Sequence, residues 1–175
     1  MTDRYITIYL RDHLAMARGG LDFCRRVARE NEGNEVGESL EAILVDLEEE
    51  TEALTRALEL LDVEPSQLKM AGVWLMEKAG RLKFNGDLRS YSPLSRLLEL
   101  EGLMAATQAR RGLWLTLQDA RHMYPELEEL PMTRLAHRAE QHLGMLEELH
   151  EKAARTMLRR GWERDEERRG GERRV

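Results

Sequence analysis

The sequence predicts an all-α fold: an antiparallel four-helix bundle with a long helical crossover between helices two and three. Three observations predict it. Charged residues make up 34% of the 175 and aromatics only 5%, a balance that suits long helices and not a β-sandwich or barrel. Four long stretches repeat apolar residues at alternating steps of three and four, the period of a helix with one buried face. Two of the three connections between these stretches are short, and the middle one runs to roughly 30 residues, enough to cross the length of a bundle.

The first helix is expected over residues 3–31, with Ile6, Leu10, His13, Ala17, Gly20, Cys24 and Val27 on one face. The polar, Gly-containing residues 32–37 make a turn. The second helix follows to about residue 61, with Leu40, Ile43, Leu47, Glu50, Leu54, Ala57 and Leu61 inward. Two helices of similar length on a short loop form a hairpin. Pro65 restarts the chain, and residues 68–84 read as a shorter crossover helix ended by Asn85-Gly86. Ser92-Pro93 signals the third helix, as N-cap and first helical residue. Stepping from Leu94 puts Leu98, Glu101, Ala105, Gln108 and Gly112 inward, and leaves Leu103, Leu113 and Leu117 outside as a crossover or subunit contact. Pro131 opens the fourth helix, with Leu135, Ala139, His142, Leu146, Leu149, Ala153 and Met157 on its face. The bundle domain is expected to span residues 1–160. Residues 161–175 hold five Arg against five acidic residues with one large apolar side chain, Trp162, and read as a disordered mixed-charge tail.

The net charge of −6 and the absence of a basic domain argue against duplex nucleic acid as the main partner. No apolar run reaches transmembrane length and residues 1–9 hold no secretory core, so a soluble, cytoplasmic protein is expected. The single cysteine, Cys24, excludes an intrachain disulfide and falls on the apolar face, where an inert core thiol is expected. No phosphate-binding glycine loop or nucleophile elbow is present. Residues 74–91 gather Trp74, Lys78, Arg81, Lys83, Phe84, Arg89 and Tyr91, a basic and aromatic stretch suited to packing on the bundle or to an anionic partner.

The informative anomaly is polarity on the inward faces. His13, Glu50, Glu101 and His142 all fall on stripes where a bundle normally places Leu or Ala, because an unpaired buried charge is costly. Two layers are expected from the helix rise. Glu50, Glu101 and the Glu-x-x-His pair Glu147/His150 fall at one level as candidate ligands for a metal ion, and His13, Gln108 and His142 form a buried polar layer at another. In helix count, crossover and inward acids the chain resembles the ferritin-like superfamily of four-helix bundles, as a divergent bacterial member. That resemblance implies iron or manganese as the ion and redox or storage chemistry. The second helix has Ala53 where the family pattern places its other histidine, and the first helix has Ala17, Gly20 and Leu21 at ligand height. Half of a dinuclear ligand set is therefore missing. The expected protein is a non-catalytic, dimerising or otherwise binding bundle, with single-ion metal binding as the alternative.

Overall fold

The computed structural model describes residues 3–63 and 91–172. The expected crossover helix and most of the basic, aromatic stretch lie outside these residues; Tyr91 lies within them. Among the described residues there are four α-helices, one short 3₁₀ turn and no strand, and no helix long and apolar enough to cross a membrane.

Helix α1 (Arg4–Glu30) starts at Asp3, whose carboxylate accepts from the Tyr5 N–H. Helix α2 (Glu35–Leu60) starts at Asn34, whose side chain accepts from the N–H groups of Val36 and Gly37. Glu35 and Glu38 in its first turn complement the positive helix end. The turn between them relies on Gly33 at φ 78° and on close backbone contact at Gly37. Helix α2 ends in a Schellman motif: Val63 N–H donates to Leu58 C=O at 2.8 Å and Asp62 N–H to Glu59 C=O at 3.0 Å. Asp62 occupies the left-handed position there, at φ 52°. Helix α3 (Pro93–Ala120) begins as the sequence predicts, with the Ser92 hydroxyl accepting from Ser95 N–H and Pro93 in the first turn. A 3₁₀ turn (Pro125–Glu129) leads into α4 (Met132–Glu172).

The most extensive packing is α3 on α4 and α1 on α2; the two pairs meet along α1–α3 and α2–α4. Side-chain pairs between helices run in opposite residue order. From α2 to α4 these are Glu35–Lys152, Asp46–His142 and Glu49–Arg138. From α3 to α4 they are Glu101–His150, Arg110–His142 and Gln118–Thr133. The apolar interior falls into two clusters. One holds Leu10, Leu14, Leu54, Leu58, Trp114, Leu117 and Leu135. The other holds Cys24, Val27, Leu40, Ile43, Leu100, Leu103 and Leu146.

The inward faces of α2 and α4 are those the sequence indicates, with Leu47 and Met157 only half-buried. The face of α3 is a correction. Leu97, Leu100, Leu103, Leu113, Trp114 and Leu117 are buried, while Glu101, Ala105 and Gln108 are exposed. The helix is turned about 100°, one residue, from the expected phase. The reason is apolar area: the observed face buries Trp114 and five leucines, far outweighing Leu94, Leu98 and Ala105. Leu103, Leu113 and Leu117 are therefore core and not an outer contact surface. The second difference is at the C-terminal end, where helix continues from Arg160 to Glu172. Arg and Glu are strong helix formers, and their alternation favours i,i+4 attraction in the absence of an apolar stripe.

Two glycines test this packing. A Cβ at Gly37 would lie 2.3 Å from the Asn31 carbonyl oxygen and 2.9 Å from its carbon, whereas one at Gly20 would meet nothing within 4 Å. Gly37→Ala should lose about 1–3 kcal/mol of unfolding free energy. Gly20→Ala should gain up to about 1 kcal/mol from helix propensity. Urea denaturation of the two variants checks both signs.

Candidate functional site

Between the two apolar clusters lies a polar layer built from three helices. Helix α2 contributes Asp46 and Glu50, α3 contributes Arg110, and α4 contributes Arg138 and His142. Helix α1 contributes no charged group to these bonds. Glu50 is only 3% exposed. Its Oε2 accepts from the Trp114 indole N–H at 2.9 Å and lies 3.4 Å from Arg110 Nε. Arg110 Nη2 is 2.9 Å from His142 Nδ1, and His142 Nε2 is 3.0 Å from Asp46 Oδ2. Arg138 closes the outer edge, at 3.2 Å from Asp46 Oδ1 and 2.8 Å from Glu49 Oε2. Three buried atoms have no hydrogen-bond partner: Glu50 Oε1, Arg110 Nε and Arg110 Nη1.

The geometry fixes the state of His142. A guanidinium only donates, so Nδ1 must be the acceptor and the ring proton sits on Nε2, donated to Asp46. The imidazole is thus neutral. Burial, with the nearby Arg110 charge, lowers its pKa against the raising effect of Asp46. Burial raises the pKa of Glu50, opposed by Arg110 and by the Trp114 hydrogen bond. Cys24 is buried and its thiol is pushed up to about 12, again by burial. That disfavours the thiolate a nucleophile needs.

A second network ties the α1–α2 turn to the start of α3. The buried Glu99 accepts from Arg26 Nη1 at 2.7 Å and from the Tyr91 hydroxyl at 2.9 Å. Asn31 donates to that hydroxyl at 2.7 Å and to Val27 C=O at 2.8 Å, and accepts from Arg96 Nε at 2.7 Å.

The expected site residues are thus redistributed. Glu50 and His142, assigned to different layers by the sequence, belong to one, joined by Arg110. Glu101 and His150 meet at 3.3 Å, on a largely exposed edge away from Glu50. Glu147 is exposed, as is Gln108. His13 packs against Tyr9 with ring centroids 4.4 Å apart and planes tilted by 59°, and makes no hydrogen bond to His142 or Gln108. Among the described residues no three His, Cys, Asp or Glu side chains converge to hold a metal ion. The proposed ligand set is dispersed because the rotation of α3 carries Glu101 off the core. That same rotation brings Arg110 in, and the signal for Arg110 was its spacing of three and four residues before Leu113 and Trp114.

The sense of the histidine contribution to stability follows from its lowered pKa. On acidification the unfolded chain protonates first, near the ordinary value of 6.5, so stability is complete above 6.5 and is lost as pH falls toward the lowered native value. His13, lowered by burial, acts in the same sense. Glu50 and Glu99, both raised by burial, act oppositely: their cost is felt above their raised values and relieved as pH falls through them. Wild type minus His142→Gln isolates the first effect. The unfolding free energy of wild type should fall more steeply between pH 7.5 and 5.5, by at most about 1.4 kcal/mol per pH unit for one proton. Trp114→Phe, which removes the donor to Glu50, should cost about 1–3 kcal/mol beyond lost packing, measured by denaturation at pH 7.5. The chain matches no protein-family model, no curated protein and no solved structure.

Proposed function

We propose that this protein is a non-catalytic binding bundle, whose overhanging α4 end docks a second copy of the chain. One observation carries the reading: Leu158 and Trp162, one helical turn apart on α4, are 65% and 69% exposed. They lie beyond Ala153, the last buried position among the described side chains of the helix. Extending the α3–α4 register places Pro93, the first residue of α3, level with about residue 158. The rest of α4 therefore projects about 20 Å past the described helices that flank it. Its exposed Arg155, Arg159 and Arg160 precede Trp162, and the exposed Glu163 and Glu166 follow it. Two copies crossing antiparallel near Gly161 set the arginines of one against the glutamates of the other, with Leu158 against the partner's Trp162.

The same proposal takes the bundle as antiparallel and ferritin-like in topology. The opposite residue order of the α2–α4 and α3–α4 pairs supports it, as does the α1–α3 pairing of Arg26 with Glu99 and Asn31 with Arg96. Neighbours then run in opposite directions and α2 parallel to α3, as one long crossover requires. The polar layer is read as structural, because Asp46, Glu50, Arg110, Arg138 and His142 face one another between the helices. An apolar contact of two side chains per subunit belongs to the small, weak class of interfaces.

Sedimentation velocity should show a concentration-dependent dimer that is lost in Leu158→Ala/Trp162→Ala. Thermal stability of the variant at low concentration should be unchanged, since both side chains are exposed in the monomer. A variant that associates like wild type rejects this surface.

A further inference from the structure

We propose that Arg110 is a two-position guanidinium, which proton uptake on His142 moves from His142 to Glu50, making the polar layer an acid-sensitive switch. Two features of the layer carry this. First, the bond from Arg110 Nη2 to His142 Nδ1, at 2.9 Å, exists only while Nδ1 bears a lone pair. A proton there sets a donor against a donor and a cation against a cation. Secondly, a vacant acceptor is already adjacent. Arg110 Nε lies 3.4 Å from Glu50 Oε2, and among the described residues Nε, Nη1 and Glu50 Oε1 are the buried side-chain polar atoms without hydrogen-bond partners. A small reorientation of the guanidinium would pair them as a fork on the carboxylate, the strongest geometry available to arginine. The two acceptors flank one donor group, and protonation removes one of them.

The surroundings favour that outcome. Around His142, α2 presents Asp46 and, further out, Glu49; α4 presents Arg138; α3 presents Arg110. Around Arg110, α2 presents Glu50 and Asp46, α4 presents His142 and Arg138, and α1 presents the neutral Cys24 thiol. Asp46 keeps accepting from Nε2–H in both states, so the imidazolium retains a counter-charge, while Arg138 stays on Asp46 and Glu49. The step binds one proton from solvent at Nδ1, breaks the Nη2–Nδ1 hydrogen bond and forms Nε and Nη bonds to ionised Glu50. Burial lowers the His142 pKa, so the rearrangement falls below the ordinary imidazole value of 6.5, while Arg110 and the Trp114 N–H oppose the rise that burial imposes on Glu50.

Trp114 is a built-in reporter, because its indole N–H donates to Glu50 Oε2. The test is ¹⁵N NMR of the full chain from pH 8 to 5. At pH 8 the His142 ring should show the Nε2–H tautomer. Below 6.5 its titration and a shift of the Trp114 indole Nε1–H resonance should share one midpoint. In Glu50→Gln, which keeps the shape but not the charge, the Trp114 shift should shrink severalfold and the His142 midpoint should move down. An Nδ1–H tautomer at pH 8 overturns the proposal. So does a His142 that fails to titrate before unfolding, or a Trp114 resonance that stays flat while His142 titrates. An unaltered Trp114 shift in Glu50→Gln also overturns it. The wild-type measurements decide the matter even if the variant does not fold.

Discussion

The interior of this bundle depends on one buried arginine. Without the Arg110 guanidinium, Glu50 would be a carboxylate at 3% exposure with only an indole N–H for company, and His142 would lose the donor that fixes its tautomer. Charges are tolerated in low-dielectric surroundings only where partners replace water, and removing one partner of a buried pair costs about 3–5 kcal/mol. Arg110 supplies that replacement to two helices at once. The rotation of α3 that buries Trp114 also places this guanidinium between α2 and α4.

The outer pairs extend this specification. Glu49 with Arg134 and Arg138, and Lys152 with Glu35, repeat the α2–α4 register on the surface. Such exposed pairs add little stability singly, yet each is lost if one helix slides by a turn. The Glu99 network does the same between α1 and α3, where Asn31 uses both amide hydrogens and its oxygen. Because Tyr91 is part of it, the point where the chain enters α3 is anchored to the α1–α2 turn.

Much of this was legible in the sequence, and several of the differences trace to one helix. On α1, α2 and α4 the apolar period is clean, so the faces and the anomalous Glu50 and His142 could be named. Helix α3 is apolar on more than one side. Stepping from Leu94 follows a valid period in the wrong phase, and only the summed area of Trp114 and its leucines decides between phases. From that one error follow the metal set through Glu101, the place of Gln108 in a polar layer, and the omission of Arg110. Glu99 and Asn31 escaped notice for another reason: the partners that join them across helices are 60 to 73 residues away, and no local pattern announces such pairs. The C-terminal segment lacks an apolar stripe, which removes the evidence for burial but not the helix propensity of Arg and Glu.

The division of the apolar interior into two clusters has a bearing on how the protein comes apart. Direct side-chain packing is continuous within each half, but the halves communicate through the helix backbones and a layer of hydrogen-bonded charge. A layer of that kind is directional and gives way when its geometry is disturbed, whereas apolar contact degrades gradually. The molecule is therefore built as two foldons strung on the same four rods. Opening of the half containing Cys24 and Leu146 need not unpack the half containing Trp114 and Leu135, and substitutions on opposite sides of the layer should act nearly independently.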